Sequence, residues 1–157
     1  MIKLIISESD LKNIAKAFQV VLKPSDIILC YGEMGTGKTT FTRELCSCYG
    51  IKNVSSPTFS LVQQYESNTM PFFHIDLYRL IDSNDFTSID LDKYLPNPAG
   101  VTIIEWSEKL AEYIPDSYWK FEFSYLEDMS VRQLCISAVG KPTDCLASEL
   151  LQFNIGA

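Results

Sequence analysis

Leu11, Ile14, Ala15, Phe18, Val21 and Leu22 recur at the three-and-four spacing of one helix face, which predicts an amphipathic helix. Ser7 stands where its N-cap belongs, and Glu8 and Asp10 fall in the first turn, where the helix dipole favours carboxylates. Pro24-Ser25-Asp26 makes a turn. Ile27 to Tyr31 is then a continuous apolar run, the pattern of a strand buried on both faces. A glycine-rich loop follows, then a helix from about Lys38 to Tyr49, with Gly50 in the C-terminal cap position. Val54 to Tyr65 reads as loop then strand, with Pro57 keeping Ser56 extended. Ser67-Asn68 is a turn, and Phe72 to Leu77 is a second strand. In the acidic stretch 82–95, Phe86, Ile89, Leu91 and Leu95 predict a short helix. After a Pro/Gly loop, Val101 to Trp106 is another buried strand, and Ser107 to Ile114 a helix stopped by Pro115. Trp119 to Tyr125 and Val131 to Val139 form an antiparallel pair joined at Glu127-Asp128. Thr143 to Phe153 is a last helix. Strands alternating with helices, then a late hairpin, predict an α/β domain of three layers around a mixed, mainly parallel sheet. At 157 residues, the whole chain 1–157 reads as a single domain.

Composition narrows the partners. Thirteen Lys+Arg against 20 Asp+Glu leave a net charge of −7, whereas nucleic-acid binders carry a basic face. Arg43, Arg79 and Arg132 are the only arginines, so any RNA contact falls mainly to another protein. Five cysteines and one histidine make neither a disulfide framework nor a zinc set. They read as reduced thiols serving as small hydrophobes. Met1 to Ser7 has no signal-peptide pattern, and no apolar run approaches the ~18 residues of a membrane span. A cytoplasmic location is expected.

Gly32-Glu33-Met34-Gly35-Thr36-Gly37-Lys38-Thr39 matches G-x-x-x-x-G-K-[ST], with a strand before and a helix after. Glycines let successive N–H groups curl around phosphate oxygens, and the helix aims its N-terminal dipole at the same anion. Gly35, Thr36, Gly37, Lys38, Thr39 and Thr40 are therefore candidate phosphate binders. Lys38 is expected to be exposed to the β and γ phosphates rather than buried, and the Thr39 hydroxyl to reach Mg²⁺. No D-x-x-G or N-K-x-D is present, which favours ATP over GTP.

Such a site needs a carboxylate at the end of a nearby strand. Glu105 ends an apolar strand and can face Thr39 across the loop. In Phe73 to Tyr78, alternation puts Phe73, Ile75 and Leu77 on one face and His74, Asp76 and Tyr78 on the other. Asp76 is the second candidate acid; His74 and Trp106 stand open between structural and functional roles. Ser55-Ser56-Pro57-Thr58 follows the loop helix, where a threonine can sense Mg²⁺ or the γ-phosphate as switch loops do.

In order, G-E-M-G-T-G-K-T-T-F, S-S-P-T-F-S-L-V, H-I-D-L-Y-R-L and I-I-E-W-S-E closely resemble the TsaE, or YjeE-type, ATPases from about Ile27 to Glu108. The chain departs from them mildly, with Glu33 where the family usually has Asp and Thr36 where it has Ala. The resemblance implies a P-loop NTPase-like fold and a bacterial cytosolic Mg²⁺-dependent ATPase. It also implies a role in threonylcarbamoylation of adenosine 37 in tRNAs reading ANN codons. The family binds the TsaB–TsaD heterodimer and does not transfer the group itself, so tRNA is met only through that complex. By position, Gly35 to Thr40 hold phosphates, Thr39 and Glu105 serve Mg²⁺, and Asp76 lies beside the metal or attacking water. Thr58 falls in a switch-like loop, and the start of the first helix, around Ser7, borders the adenine. Two other classes fit a phosphate loop: a small-molecule kinase, which usually needs an arginine-bearing lid, and a non-enzymatic ATP-binding adaptor.

Overall fold

The computed structural model describes residues 1–57, 60–80, 86, 89–97, 99–140 and 149. Its strands are β1 (Ile2–Ile6), β2 (Ile27–Tyr31), β3 (Val62–Tyr65), β4 (Phe72–Asp76), β5 (Val101–Glu105), β6 (Tyr118–Tyr125) and β7 (Arg132–Val139). They form one sheet in the order β1-β7-β6-β2-β5-β4-β3. Neighbours within the central run β6-β2-β5-β4 are parallel; β3 on one side, and β7 then β1 on the other, are antiparallel. β2 and β5, buried along nearly their whole length, lie side by side in the middle, as strands covered on both faces must. The sheet is thus mixed, with its parallel pairs at the centre and the expected late hairpin, β6–β7, beside them.

Helices α1 (Asp10–Val21) and α2 (Lys38–Cys48) cover one face. Leu11, Ile14, Ala15 and Phe18 are buried there, as the periodicity requires. Phe18 anchors an aromatic cluster, with ring centroids 4.8 Å from Phe121, 5.1 Å from Trp119 and 6.2 Å from Phe41. On the other face, Ile27, Leu29, Ile75 and Ile104 pack under Phe86, Ile89, Leu91 and Leu110. That third layer is built among the described residues from tight 3₁₀ turns at Leu91–Lys93 and Ser107–Tyr113.

Four readings change. The strand β1 went unpredicted; it pairs with β7 and buries Leu4 and Ile6 while Ile5 stays exposed. The first helix starts at Asp10, with Ser9 as its N-cap residue and no side-chain cap. Ser7 instead gives both its amide N–H and its hydroxyl to Asp10 Oδ2, each at 2.7 Å, the carboxylate reaching back three residues as in a capping box. Ser107–Tyr113 is 3₁₀ rather than α, kinked at Ala111, whose φ of 47° and ψ of −109° leave the helical region. Lys109 within it is tied to the carbonyl oxygens of Tyr78 and Leu80, which pulls the segment down onto the chain after β4. Of the short helix expected from Phe86 to Leu95, the described residues show a 3₁₀ turn at Leu91–Lys93; 81–85, 87 and 88 lie outside the described residues, as does the segment 143–153 apart from Glu149.

Phe18→Ala will destabilise the fold by about 3–5 kcal/mol, since it removes the ring shared by both helices and β6. Urea unfolding followed by circular dichroism measures this, and a loss below about 1 kcal/mol would deny the cluster its central place.

Candidate functional site

The chain leaves β2 at Tyr31 and turns at Gly32, whose φ of 129° suits glycine alone. A Cβ there would lie 2.2 Å from the Phe123 carbonyl oxygen, so the loop is pressed against β6. Gly37, at φ 113°, is the N-cap residue of α2. Between them the Tyr125 hydroxyl donates to Met34 O at 2.8 Å, and the Thr36 hydroxyl to Glu33 O at 2.8 Å. Thr36 is fully buried, so its side chain braces the loop from inside while Gly35, Gly37, Lys38, Thr39 and Thr40 line the cleft. Leu11, near the start of α1, lies 3.3 Å from where a Cβ on Gly37 would stand.

Lys38 is not exposed as expected; only 4% of it is accessible. Its ammonium donates to Gly32 O at 2.6 Å and Glu33 O at 2.8 Å, and sits 4.2 Å from the centre of the Trp106 ring. Burial lowers its pKa, and nearby Glu105 pulls the other way. Trp106, like His74, is a residue whose role the sequence left open. Its φ of 60° is left-handed, an arrangement costing a non-glycine residue about 1–3 kcal/mol. That bend ends β5 and lays the indole between Lys38 and the Tyr78 ring, 5.0 Å away.

The acids come from adjacent parallel strands, where Asp76 and Glu105 are register partners. Strand alternation points His74, Asp76 and Glu105 toward α2. Glu105 is buried, only 2% exposed, and is held on both oxygens. Thr39 Oγ1 donates to its Oε2 at 2.7 Å; His74 Nε2 donates to its Oε1 at 2.8 Å, with the Thr42 hydroxyl 3.3 Å from the same oxygen. Asp76 is half-buried; the Ser56 hydroxyl donates to its Oδ2 and the Tyr78 N–H to its Oδ1 at 2.9 Å. Ser56 was not singled out from the sequence, where only its place before Pro57 hinted at a fixed backbone. Thr58 lies outside the described residues.

Together these groups bound an open cleft of about 280 Å³, with Lys38, Thr39, Ser56, Asp76 and Glu105 on its walls and Trp106 beside them. Its chemistry fits a magnesium-bound polyphosphate. The N-terminus of α2 offers N–H groups without intrahelical acceptors, which favour an anion. Thr39 and Glu105 put a hydroxyl and a carboxylate oxygen 2.7 Å apart, the hard donors magnesium prefers. No group of three or more His, Cys, Asp or Glu gathers among the described residues, so such an ion would draw its other ligands from phosphate and water. None of the three arginines is among the residues lining the cleft; Arg43 reaches the Val54 carbonyl instead. Cys30, at the end of β2 beneath the loop, has its thiol pKa pushed up by burial, in keeping with a packing role.

The family model described as threonylcarbamoyl adenosine biosynthesis protein TsaE matches residues 5–134. The chain belongs to the TsaE family. A Rickettsia bellii protein named tRNA threonylcarbamoyladenosine biosynthesis protein TsaE is 38% identical over 124 residues, 78% of this chain and 85% of that protein. A Bacillus subtilis protein of the same name is 32% identical over 146 residues, 92% of this chain and 90% of that one. The crystal structure of YdiB from Bacillus subtilis matches with a TM-score of 0.77 at 27% identity, covering 98% of this chain and 95% of YdiB. The α/β, P-loop NTPase-like fold of the family is therefore this chain's fold. No helix among the described residues is long and apolar enough to cross a membrane.

If the cleft takes a magnesium-bound polyphosphate, Glu105→Ala will shift the Mg²⁺ midpoint of its binding upward by about tenfold or more. An unshifted midpoint would move the metal-side role from Glu105 to Asp76.

Proposed function

We propose that this chain is a Mg²⁺-dependent ATPase that supports threonylcarbamoylation of adenosine 37 in tRNAs reading ANN codons. It acts on a TsaB–TsaD complex and does not transfer the group itself. The observation that carries this reading is the Thr39–Glu105 pair, set at the mouth of a phosphate loop in a chain of the TsaE family. Relatives named as tRNA threonylcarbamoyladenosine biosynthesis proteins support the pathway.

In this reading Gly35 to Thr40 hold the phosphates, through backbone N–H groups and the helix dipole. Thr39 and Glu105 would hold magnesium, which would supply charge neutralisation at the phosphates. Asp76, kept in place by Ser56 and the Tyr78 N–H, orients the attacking water. Lys38 leaves the Gly32 and Glu33 carbonyls to reach phosphate, and its buried ammonium then meets a full anionic partner. Thr58 keeps the Mg²⁺- or γ-phosphate-sensing role expected of it from the sequence. With no arginine on the cleft walls, the completing positive charge, or the ordering of the Thr58 loop, comes from the partner surface. The net charge of −7 agrees with work through protein partners, tRNA being met only through the complex. A cytoplasmic setting and one ATPase domain over 1–157 complete the reading.

Lys38→Ala will lose most ATP hydrolysis while keeping the wild-type far-ultraviolet spectrum; turnover near wild type with saturating Mg²⁺-ATP would remove the phosphate-loop assignment. The isolated chain will hydrolyse ATP slowly, and TsaB–TsaD will stimulate it, by up to ~10³–10⁵-fold if an arginine is supplied in trans. Phosphate release with and without the complex and tRNA measures this. Fast turnover by the chain alone, abolished in Arg79→Ala, would place the charge within the chain. Phosphate transfer to an acceptor would make the chain a kinase, and neither release nor transfer would make it an adaptor.

A further inference from the structure

Oε1 and Oε2 of Glu105 are held by different parts of the fold. Oε2 receives the hydroxyl of Thr39, a residue of the cleft wall. Oε1 points inward, to His74 and Thr42, both wholly inaccessible. Thr42 is the weaker partner, because its one proton is shared between the Lys38 carbonyl oxygen at 3.1 Å and Oε1 at 3.3 Å. His74 at 2.8 Å is the firm donor, and it reaches Glu105 from a different element, β4. Its other ring nitrogen, Nδ1, is buried with no hydrogen-bond partner among the described residues, so the bond to Glu105 is the one polar contact the imidazole makes there. A buried ring left half-satisfied is costly, and a purely apolar side chain would fill the same space without that cost.

We propose that His74 is a positioning residue, which pins the inner oxygen of Glu105 so that only Oε2 is turned to the metal side of the cleft. The idea rests on the ATPase reading, because it assigns His74 a part in presenting the magnesium-side carboxylate. It makes β4 serve both acids, carrying Asp76 itself and holding Glu105 of β5 through the ring two residues before Asp76. Without the His74 bond the carboxylate is free to turn both oxygens outward or to drop onto Thr42, and its single-oxygen presentation is lost.

The test measures how much Mg²⁺ tightens binding of a fluorescent, non-hydrolysable ATP analogue, by titrating it in Mg²⁺ and in EDTA. Glutamine can place an amide N–H near the Nε2 position, asparagine only near Nδ1, and phenylalanine fills the space with no donor. His74→Asn and His74→Phe will lose about 10–100-fold of the Mg²⁺ enhancement while their affinity in EDTA stays at the wild-type value; His74→Gln will keep most of the enhancement. If the phenylalanine variant fails to fold, the asparagine and glutamine pair decides alone. Full enhancement in a cooperatively folded His74→Asn would overturn the proposal. So would a glutamine variant as impaired as asparagine, which would leave only ring packing. A wild-type chain that binds the analogue with no Mg²⁺ enhancement, or not at all, would instead overturn the ATPase reading beneath it.

Discussion

A carboxylate buried where β5 meets α2 governs the arrangement of this molecule. Glu105 is almost wholly inaccessible, and stripping a carboxylate of water without giving it donors costs several kcal/mol. The three donors come from two elements: Thr39 and Thr42 one turn apart on α2, and His74 on β4. Satisfying them fixes the rotation of α2 about its axis and its depth against the sheet. Because α2 begins at Gly37, the same bonds set where the loop Gly32–Gly37 opens. They also depend on the parallel register of β4 and β5, which brings Asp76 level with Glu105. Packing of Phe18 and Phe41 against β6 provides the support, but the carboxylate network gives the helix its phase.

A second constraint surrounds Lys38. Its ammonium is covered by Trp106 and fed by two loop carbonyls, so the cation is stored in the loop that uses it. The left-handed turn at Trp106 is what makes this possible, since an extended continuation of β5 would carry the indole away from the loop. The strain at that residue and the desolvation of the lysine are therefore two parts of one feature, offset by the cation–π contact and by the Tyr78 ring on the indole's side.

Much of this was legible in the chain. The run Ile27 to Tyr31 is apolar at every position and Val101 to Ile104 nearly so, and central strands ask for that. The phosphate loop was legible because its glycines and lysine answer a chemical need at fixed spacing. The facing of Glu105 toward Thr39 followed from strand ends and loop geometry. What stayed hidden depends on distant partners. The bond of His74 to Glu105 spans 31 residues, and that of Ser56 to Asp76 spans 20, distances over which no local pattern speaks. The strand β1 was obscured because its inward residues, Leu4 and Ile6, are few and its exposed Ile5 breaks the alternation. Ser107–Tyr113 has helical spacing yet winds as 3₁₀, because its start is set by Trp106 and its middle by the bonds of Lys109. The buried state of Lys38 was missed for a similar reason, since its cover lies on another strand's end.

The central claim is that one loop, one helix end and Glu105 together form a magnesium–nucleotide site. A crystal structure of the chain with Mg²⁺ and a non-hydrolysable ATP analogue tests it most directly. The account predicts phosphates cradled from Gly35 to Thr40 and Lys38 released from the Gly32 and Glu33 carbonyls. It also predicts Mg²⁺ about 2.1 Å from Thr39 Oγ1, with Glu105 Oε2 on the ion directly or through one water. Nucleotide bound away from the N-terminus of α2, or an ion held by Asp76 with Glu105 still closed on Thr39, would contradict it.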